Sequence, residues 1–450
     1  MCAQSLRICG WRDRVTAGWA RWKARPHSTC PRSIQLSALG HASACIGRPI
    51  RSAYRSGRHR SSSNCVSESN IKAPLERMGA PSVMTDEQLR AAYRGKRVFL
   101  TGHTGFKGGW LALWLSELGA EVTGYALAPD TRPSFFAVAG VEARCRHLEA
   151  DVRDAGALQR ALRQARPDHV FHLAAQSLVR RSYQLPLETI QTNVLGTANL
   201  LEAVRQEGLR CAVVVVTSDK CYEPRESASG HLEEDPMGGH DPYSMSKGAA
   251  ELVVASYRRS FFPPTELRRH GVGLASARAG NVLGGGDWAV DRLVPDVVRA
   301  LGEGRPVPVR NPRSVRPWQH VLEPLSGYLQ LGARLGGIDT RQPERFCEAW
   351  NFGPRPDATV SVSELVERAI HHWGAGTWED RSDPAAPHEA RWLSLSIEKA
   401  QQVLEWSPRW SLDQAIQATV SWYRDAAALD RAGVAALTLG QIRRYLGAEA

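Results

Sequence analysis

No run of eighteen apolar residues occurs in the 450-residue chain, so nothing in it reads as a membrane span. No internal repeat is visible, which argues against solenoids and propellers. The nine cysteines match no zinc-type spacing and no disulfide framework. Cys2, Cys9, Cys30, Cys45 and Cys65 crowd the first 66 residues, and Cys145, Cys211, Cys221 and Cys347 are scattered singly. That usage suits a reduced, cytoplasmic protein. A net charge of +11 would point to nucleic acid or a membrane surface, but the surplus is confined to one end. Residues 1–66 hold 12 Lys and Arg against the single acid Asp13, which leaves 45 bases and 45 acids from residue 67 on. Neither nucleic acid nor a membrane is therefore expected as a partner.

The first 90 residues are rich in Arg and Ser and lack sustained apolar periodicity. They fit an acid-poor transit peptide, a flexible basic arm, or a lead that precedes a later start at Met78 or Met84. On each reading residues 1–90 stand outside the fold argument.

From Arg97 onward strands and helices alternate. Val98–Leu100 is a short apolar run, and Phe106, Trp110, Leu113, Trp114 and Leu118 then recur at helical spacing. Strands follow at Glu121–Leu127, at a run ending at Asp151, and at Val170–Leu173, with a helix through Leu162 between the last two. Thr189–Arg205 reads as one long helix. Val213–Val216, four valines, suits a strand buried on both faces of a parallel sheet. A helix follows Tyr243, then a strand at Val272–Ala277. This is the pattern of an α/β fold: a Rossmann-type doubly wound parallel sheet spanning 94–280. Beyond about 280 prolines and the run Gly284-Gly285-Gly286 mark a smaller, mixed α/β substrate domain, 281–450, with helices at Val362–Trp373, Ile397–Leu404 and Leu412–Tyr423. Parts of 317–352 are expected to return to the main sheet.

Gly102-His-Thr104-Gly105-Phe106-Lys-Gly108 joins the first strand to the first helix. Such a turn is either an ordinary glycine-rich bend or a phosphate cradle; the strand–turn–helix–strand context favours the cradle. Asp151-Val152, at the end of the third strand, could accept from an adenine amino group or simply shape a loop. Tyr243 and Lys247 stand four apart on one helical face, where an ammonium lowers a phenol's pKa and makes it a usable base. Thr217-Ser218-Asp219-Lys220 follows the valine strand, where ligands bind in open α/β sheets. Arg310 and Arg316 lie in a Pro- and Asn-containing loop; their planar forks suit a diphosphate, though loop arginines are often just solvated.

Thr101-Gly102-x-x-Gly105-x-x-Gly108, His172-Leu173-Ala174-Ala175-Gln176 and Tyr243-x-x-x-Lys247 together resemble the extended short-chain dehydrogenases. Within that group, Gly102–Trp110, Thr217–Tyr222, Arg278–Trp288 and Arg316–Val321 resemble the CDP-glucose-type nucleotide-sugar 4,6-dehydratases, over about residues 95 to 425. The resemblance implies tightly bound NAD, no metal, CDP-glucose as substrate and a homodimer or homotetramer. It implies a redox-neutral elimination in which Tyr243 takes the 4-hydroxyl proton while hydride leaves C4. The C5 proton and the C6 hydroxyl then depart, and hydride returns to C6. It assigns Ser218 to holding the sugar oxygen and Asp219 to protonating the leaving hydroxyl. Lys220 stands where dehydratases for other nucleotide sugars carry a glutamate base. The C5 base stays open, because a lysine must be neutral to accept a proton. Cofactor contacts fall to Gly102, Thr104, Gly105, Phe106, Gly108, Asp151, Val152, Leu173, Ala174, Ala175, Thr217, Tyr243 and Lys247, and substrate contacts to Gln176, Asn281, Arg310 and Arg316. The second strand ends in no ribose-binding acid, so NAD rests on the resemblance alone. A GDP-mannose, dTDP-glucose or UDP-sugar dehydratase, a 4-epimerase and a non-enzymatic nucleic-acid binder remain as alternatives.

Overall fold

The computed structural model describes residues 84–225, 229–338, 340–355, 358–383 and 393–447. The basic stretch 1–83 lies outside the described residues. Residues 84–93, set aside above with that stretch, belong to the core. Thr85 caps a helix, α1 (Asp86–Tyr93), through a reciprocal capping box with Gln88. Leu89, Ala92 and Tyr93 are buried, and the Tyr93 hydroxyl donates to the Leu329 carbonyl at 2.6 Å.

Seven strands form one parallel sheet: β1 (Arg97–Thr101), β2 (Glu121–Ala126), β3 (Arg146–Glu149), β4 (His169–His172), β5 (Ala212–Val216), β6 (Gly273–Ala279) and β7 (Ala349–Phe352). Their spatial order is 7-6-5-4-1-2-3. The order reverses beside β1, so the carboxyl ends of β1 and β4 open the crevice where such sheets bind ligands. Alternation along each strand feeds two cores. Phe99, Val213 and Val215 pack on one face, while Val98, Leu100, Val214 and Val216 pack on the other. A single apolar face would not explain four consecutive valines; two helical layers do.

The second face is covered by α2 (Phe106–Glu117), where Trp110 and Trp114 are fully buried, and by Leu322–Leu335, which lies against β5 and β6. The other carries Ala155–Ala165, Gly196–Gln206 and the helix Pro242–Ser260. That last helix starts sharply: Asp241 accepts from the Ser244 N–H, and Pro242 fills the first helical position. The helix expected at Thr189–Arg205 is present, but a π-helical turn, Gln191–Leu195, interrupts it. After β6 three two-stranded pairings and the helices Leu293–Gly302, Val362–Trp373 and Leu412–Ala426 build the smaller region. A final helix, Arg431–Leu446, has no counterpart in the sequence reading. Its Tyr445 reaches the buried carboxyl of Glu323 at 2.6 Å. No helix among the described residues is long and apolar enough to cross a membrane.

Candidate active site

The glycine turn is shaped by two close approaches. Gly102 has φ +77°, and a Cβ there would stand 2.7 Å from the Ala174 amide nitrogen, where the end of β4 crosses the turn. A Cβ on Gly108 would strike the Gly102 carbonyl. Gly105 is the N-cap of α2 and offers no side chain, so the first N–H groups of the helix stay open to an anion. Thr104 ties the turn to β2 by donating to the Leu127 carbonyl at 2.9 Å. Phe106, half-buried, packs towards Gly284. The cradle therefore fits the pyrophosphate of a dinucleotide.

Beside it, the Thr101 hydroxyl accepts from the Leu173 and Ala174 amides, each at 3.1 Å, and meets His172 Nδ1 at 2.8 Å. Leu173, Ala174 and Ala175 are half-buried along the crevice. Three residues are engaged differently from the expectation. Asp151 is bound by Arg153 through its backbone and guanidinium; burial pushes the carboxyl up, but those bonds outweigh it and hold the pKa below the usual range. Val152 is buried and packs on Gly196. Gln176 is an internal brace: its amide binds the Leu178 backbone and Thr189, and its own N–H donates to Asn193. With every polar group of Gln176 taken, the expected substrate contact is not what this geometry provides.

At the end of β5, Ser218 donates to Asp219 Oδ1 at 2.9 Å and accepts from the Lys220 amide. Asp219 is 2% exposed and its Oδ2 has no partner. Gly280 makes room for that oxygen, since a Cβ there would lie 2.7 Å from it. Burial raises the Asp219 pKa, against the opposing pull of Lys220, the Ser218 hydroxyl, Lys107 and Arg316. Lys220 is half-buried.

Tyr243 and Lys247 are both buried on the inner face of their helix. Lys247 Nζ donates to the Val216 carbonyl at 3.3 Å, and burial pushes its pKa down to about 8. The expected lowering of the Tyr243 phenol is not seen. Burial pushes it up to about 12, and the groups pulling it back are the Ser218 hydroxyl and Arg292.

The structure gathers Thr217, Ser218, Asp219, Lys220, Tyr243 and Lys247 around the carboxyl ends of β5 and β6, with the glycine turn alongside. Arg316 is buried and coupled electrostatically to Asp219. Asn281, half-buried, follows β6 and accepts from the Gln319 amide. Arg310 sits at the outer rim, paired with Asp291 at 2.5 Å and Asp296 at 3.2 Å. Three residues were passed over in the sequence. Arg292 bridges Asp287 and Ser177, each at 2.9 Å, beside Tyr243. Lys107, inside the glycine motif, faces Asp219 and Lys247. Asn193, in the π-helical turn, holds both backbone groups of Gln176 and the Ser246 hydroxyl. Lys107 had a signal, a cation within a phosphate-type turn; the other two had none.

Comparison with known proteins narrows the class. The sequence matches the family described as GDP-mannose 4,6 dehydratase over residues 99–419. It is 50% identical to the CDP-glucose 4,6-dehydratase of Salmonella typhimurium over 332 residues, 74% of this chain and 91% of that protein. The dTDP-glucose 4,6-dehydratase of Streptomyces antibioticus is 31% identical over 282 residues, 62% of this chain and 76% of the relative. The dTDP-glucose 4,6-dehydratase of Streptomyces venezuelae, solved with NAD bound, superposes with a TM-score of 0.61 at 27% identity, covering 73% of this chain and 97% of that one. The chain belongs to the GDP-mannose 4,6 dehydratase family.

Proposed function

We propose that this protein converts CDP-glucose to CDP-4-dehydro-6-deoxyglucose and water, with NAD held on the glycine turn. The observation that carries the reading is Asp219, a buried acid with one unpartnered oxygen beside the Tyr243–Lys247 pair. An epimerase needs the pair but not the acid. The nucleotide base is supported by the 50% identical relative that acts on CDP-glucose.

Held by the Gly102–Gly108 turn, NAD would supply the hydride acceptor for oxidation at the sugar's C4 and the hydride donor for reduction at C6. Tyr243 removes the O4 proton as that carbon is oxidised, with the Ser218 hydroxyl placed to hold the same oxygen. The C4 ketone then acidifies the C5 proton. Burial favours the protonated form of Asp219, which is placed to deliver a proton to the departing C6 hydroxyl. Lys220, at the mouth, is the candidate for the C5 base, a role that requires its neutral form. Arg316 and Arg310 are the candidates for the diphosphate, with Arg292 nearby.

Asp219→Asn tests this directly. The variant keeps the shape but cannot donate the proton. With CDP-glucose it should accumulate near-ultraviolet absorbance of reduced nicotinamide while product release falls steeply. In the parent, deuterium placed at C4 should appear at C6 of the product. Its return to C4 with inverted configuration would make the chain an epimerase. Offering CDP-, dTDP-, UDP- and GDP-sugars and reading the alkali-absorbing 4-keto product tests the base.

A homodimer or homotetramer belongs to the same reading. Leu187 and Leu195 are exposed on one helical segment, and Met245 and Leu252 on the helix packed against it. Spacings of eight and seven are close to whole turns and place each pair on one face, which a second copy would cover. Sedimentation of the full chain as a monomer would remove this part. The cysteines among the described residues are all free, which supports a reducing, cytoplasmic location.

A further inference from the structure

Several elements that carry the site meet at one buried carboxylate, Glu251, which has no part in the mechanism above. It lies on the Tyr243–Lys247 helix, four residues beyond Lys247 and eight beyond Tyr243, so all three share a face. Glu251 and Arg278 are each 4% exposed. One Glu251 oxygen accepts the Thr217 hydroxyl at 2.5 Å; the other accepts the Ser276 hydroxyl at 2.7 Å and Arg278 Nη2 at 2.8 Å. Arg278 Nη1 donates to the Tyr222 hydroxyl at 2.6 Å and to the Glu233 carbonyl at 2.8 Å. Burial raises the Glu251 pKa, but Arg278 and the two hydroxyls outweigh it and hold the carboxyl ionised.

A buried ion pair is a poor way to stabilise a fold, because desolvating two charges offsets most of their attraction. What it adds here is direction and charge. The direction is given to Thr217, which immediately precedes Ser218 and Asp219. With the bond from Lys247 Nζ to the Val216 carbonyl, two successive residues of the strand end are fixed to the helix that bears Tyr243. The charge acts on Lys247. Besides Glu251, the titratable groups facing Lys247 are Tyr243 on its own helix, Cys221 after β5, His172 at the end of β4 and Lys107 on α2. Burial keeps the Cys221 thiol and the His172 imidazole neutral, and Lys107 is a second cation. Among the described residues, Glu251 is the anion that opposes the desolvation of Lys247.

We propose that Glu251, braced by Arg278, is a positioning residue for the reaction, fixing the strand end that carries Ser218 and Asp219 and keeping Lys247 cationic beside Tyr243. The proposal rests on the roles of Tyr243 and Lys247 given above.

The test is the pH dependence of kcat/KM for the full chain with CDP-glucose. Lys247 has a depressed pKa, so its charge is present below that pKa and is lost as pH rises through it. Activity needing the ammonium therefore falls on the alkaline side, near pH 8 in the parent. Glu251→Gln should move that fall about one pH unit lower. Glu251→Asp disturbs the packing as well but keeps the charge, so its alkaline fall should stay with the parent's. If Glu251→Gln does not fold, the Glu251→Gln/Arg278→Met double variant removes both charges together, and the same displacement is expected. An alkaline limb unmoved in either folded variant overturns the proposal. Lys247→Met separates this from the underlying reading. If Lys247→Met keeps the parent's rate and profile, the reading of Lys247 fails and the proposal goes with it. If Lys247→Met is inactive while Glu251→Gln leaves the limb in place, the proposal alone fails.

Discussion

The inner and outer halves of the site are built on opposite terms. Inside, Thr101, His172, Thr197, Tyr243 and Lys247 are all buried; His172 joins the Thr101 and Thr197 hydroxyls, and Lys247 reaches the Val216 carbonyl. At the rim, Arg310 and Asp291 have 36% and 42% of their side chains exposed, and Arg180 reaches the same aspartate. The buried half cannot rearrange without leaving polar groups unpaired, which costs about 1–3 kcal/mol each. It is organised before substrate arrives, as groups that meet developing charge must be. Exposed ion pairs are worth about 0–1 kcal/mol, so the rim can exchange its partners for those of a ligand at little cost. The comparison says where chemistry and where binding should respond to substitution.

The largest effect should come from inside. Tyr243→Phe keeps the buried ring and removes the hydroxyl that takes the substrate's proton. Turnover should fall by about 10²–10⁴-fold. The KM for CDP-glucose should change far less, because the rim is untouched. Steady-state kinetics give both numbers. Near-normal kcat would break the assignment of chemistry to the buried half.

A second effect concerns what supports that half from behind. Helix α1 buries Leu89 and Tyr93 against Leu322–Leu335. Losing a buried aromatic ring costs about 3–5 kcal/mol and a buried leucine about 2–5 kcal/mol. A chain beginning at Met84 should therefore fold and turn over like the full chain, whereas one beginning at Lys96 should lose much of its stability. Thermal denaturation of the two truncations checks this. Equal melting temperatures would show that α1 contributes no support.

How much of this was legible in the sequence follows the same division. The sheet could be read because Val213–Val216, the glycine turn and the strand–helix alternation are local patterns. The Tyr243–Lys247 pair and the Ser218–Lys220 strip could be placed because both follow strand ends. The final helix was missed because its anchor, Tyr445 on Glu323, joins residues 122 apart and leaves no period to find. Helix α1 was hidden by its basic neighbours, and the π-helical turn at Gln191–Leu195 is a backbone event with no residue signature. Asp151 and Gln176 lie where the resemblance put them, yet Arg153, Leu178 and Thr189 occupy their side chains, which motif matching does not see. Arg292 reaches Ser177 across 115 residues, and only the folded chain brings them together.

The smallest effect belongs to the rim and is the sharpest check on the comparison. Arg310 donates to Asp291 and Asp296, and Asp291 holds a left-handed backbone, φ +63°. Asparagine tolerates that conformation as aspartate does, so Asp291→Asn removes the charge without adding strain. Freed of one partner, Arg310 should receive the substrate's diphosphate more readily. An exposed pair worth at most about 1 kcal/mol limits the gain, so KM should fall by no more than about fivefold. Arg310→Gln should act in the opposite direction, raising KM. Neither variant should change kcat, because binding lost or gained equally in ground and transition states leaves the chemical step alone. The effects should shrink as salt is raised and the charges are screened. A fall in kcat with unchanged KM in Arg310→Gln would place this arginine with the chemistry rather than at the rim. No change in either constant would remove it from the substrate's path.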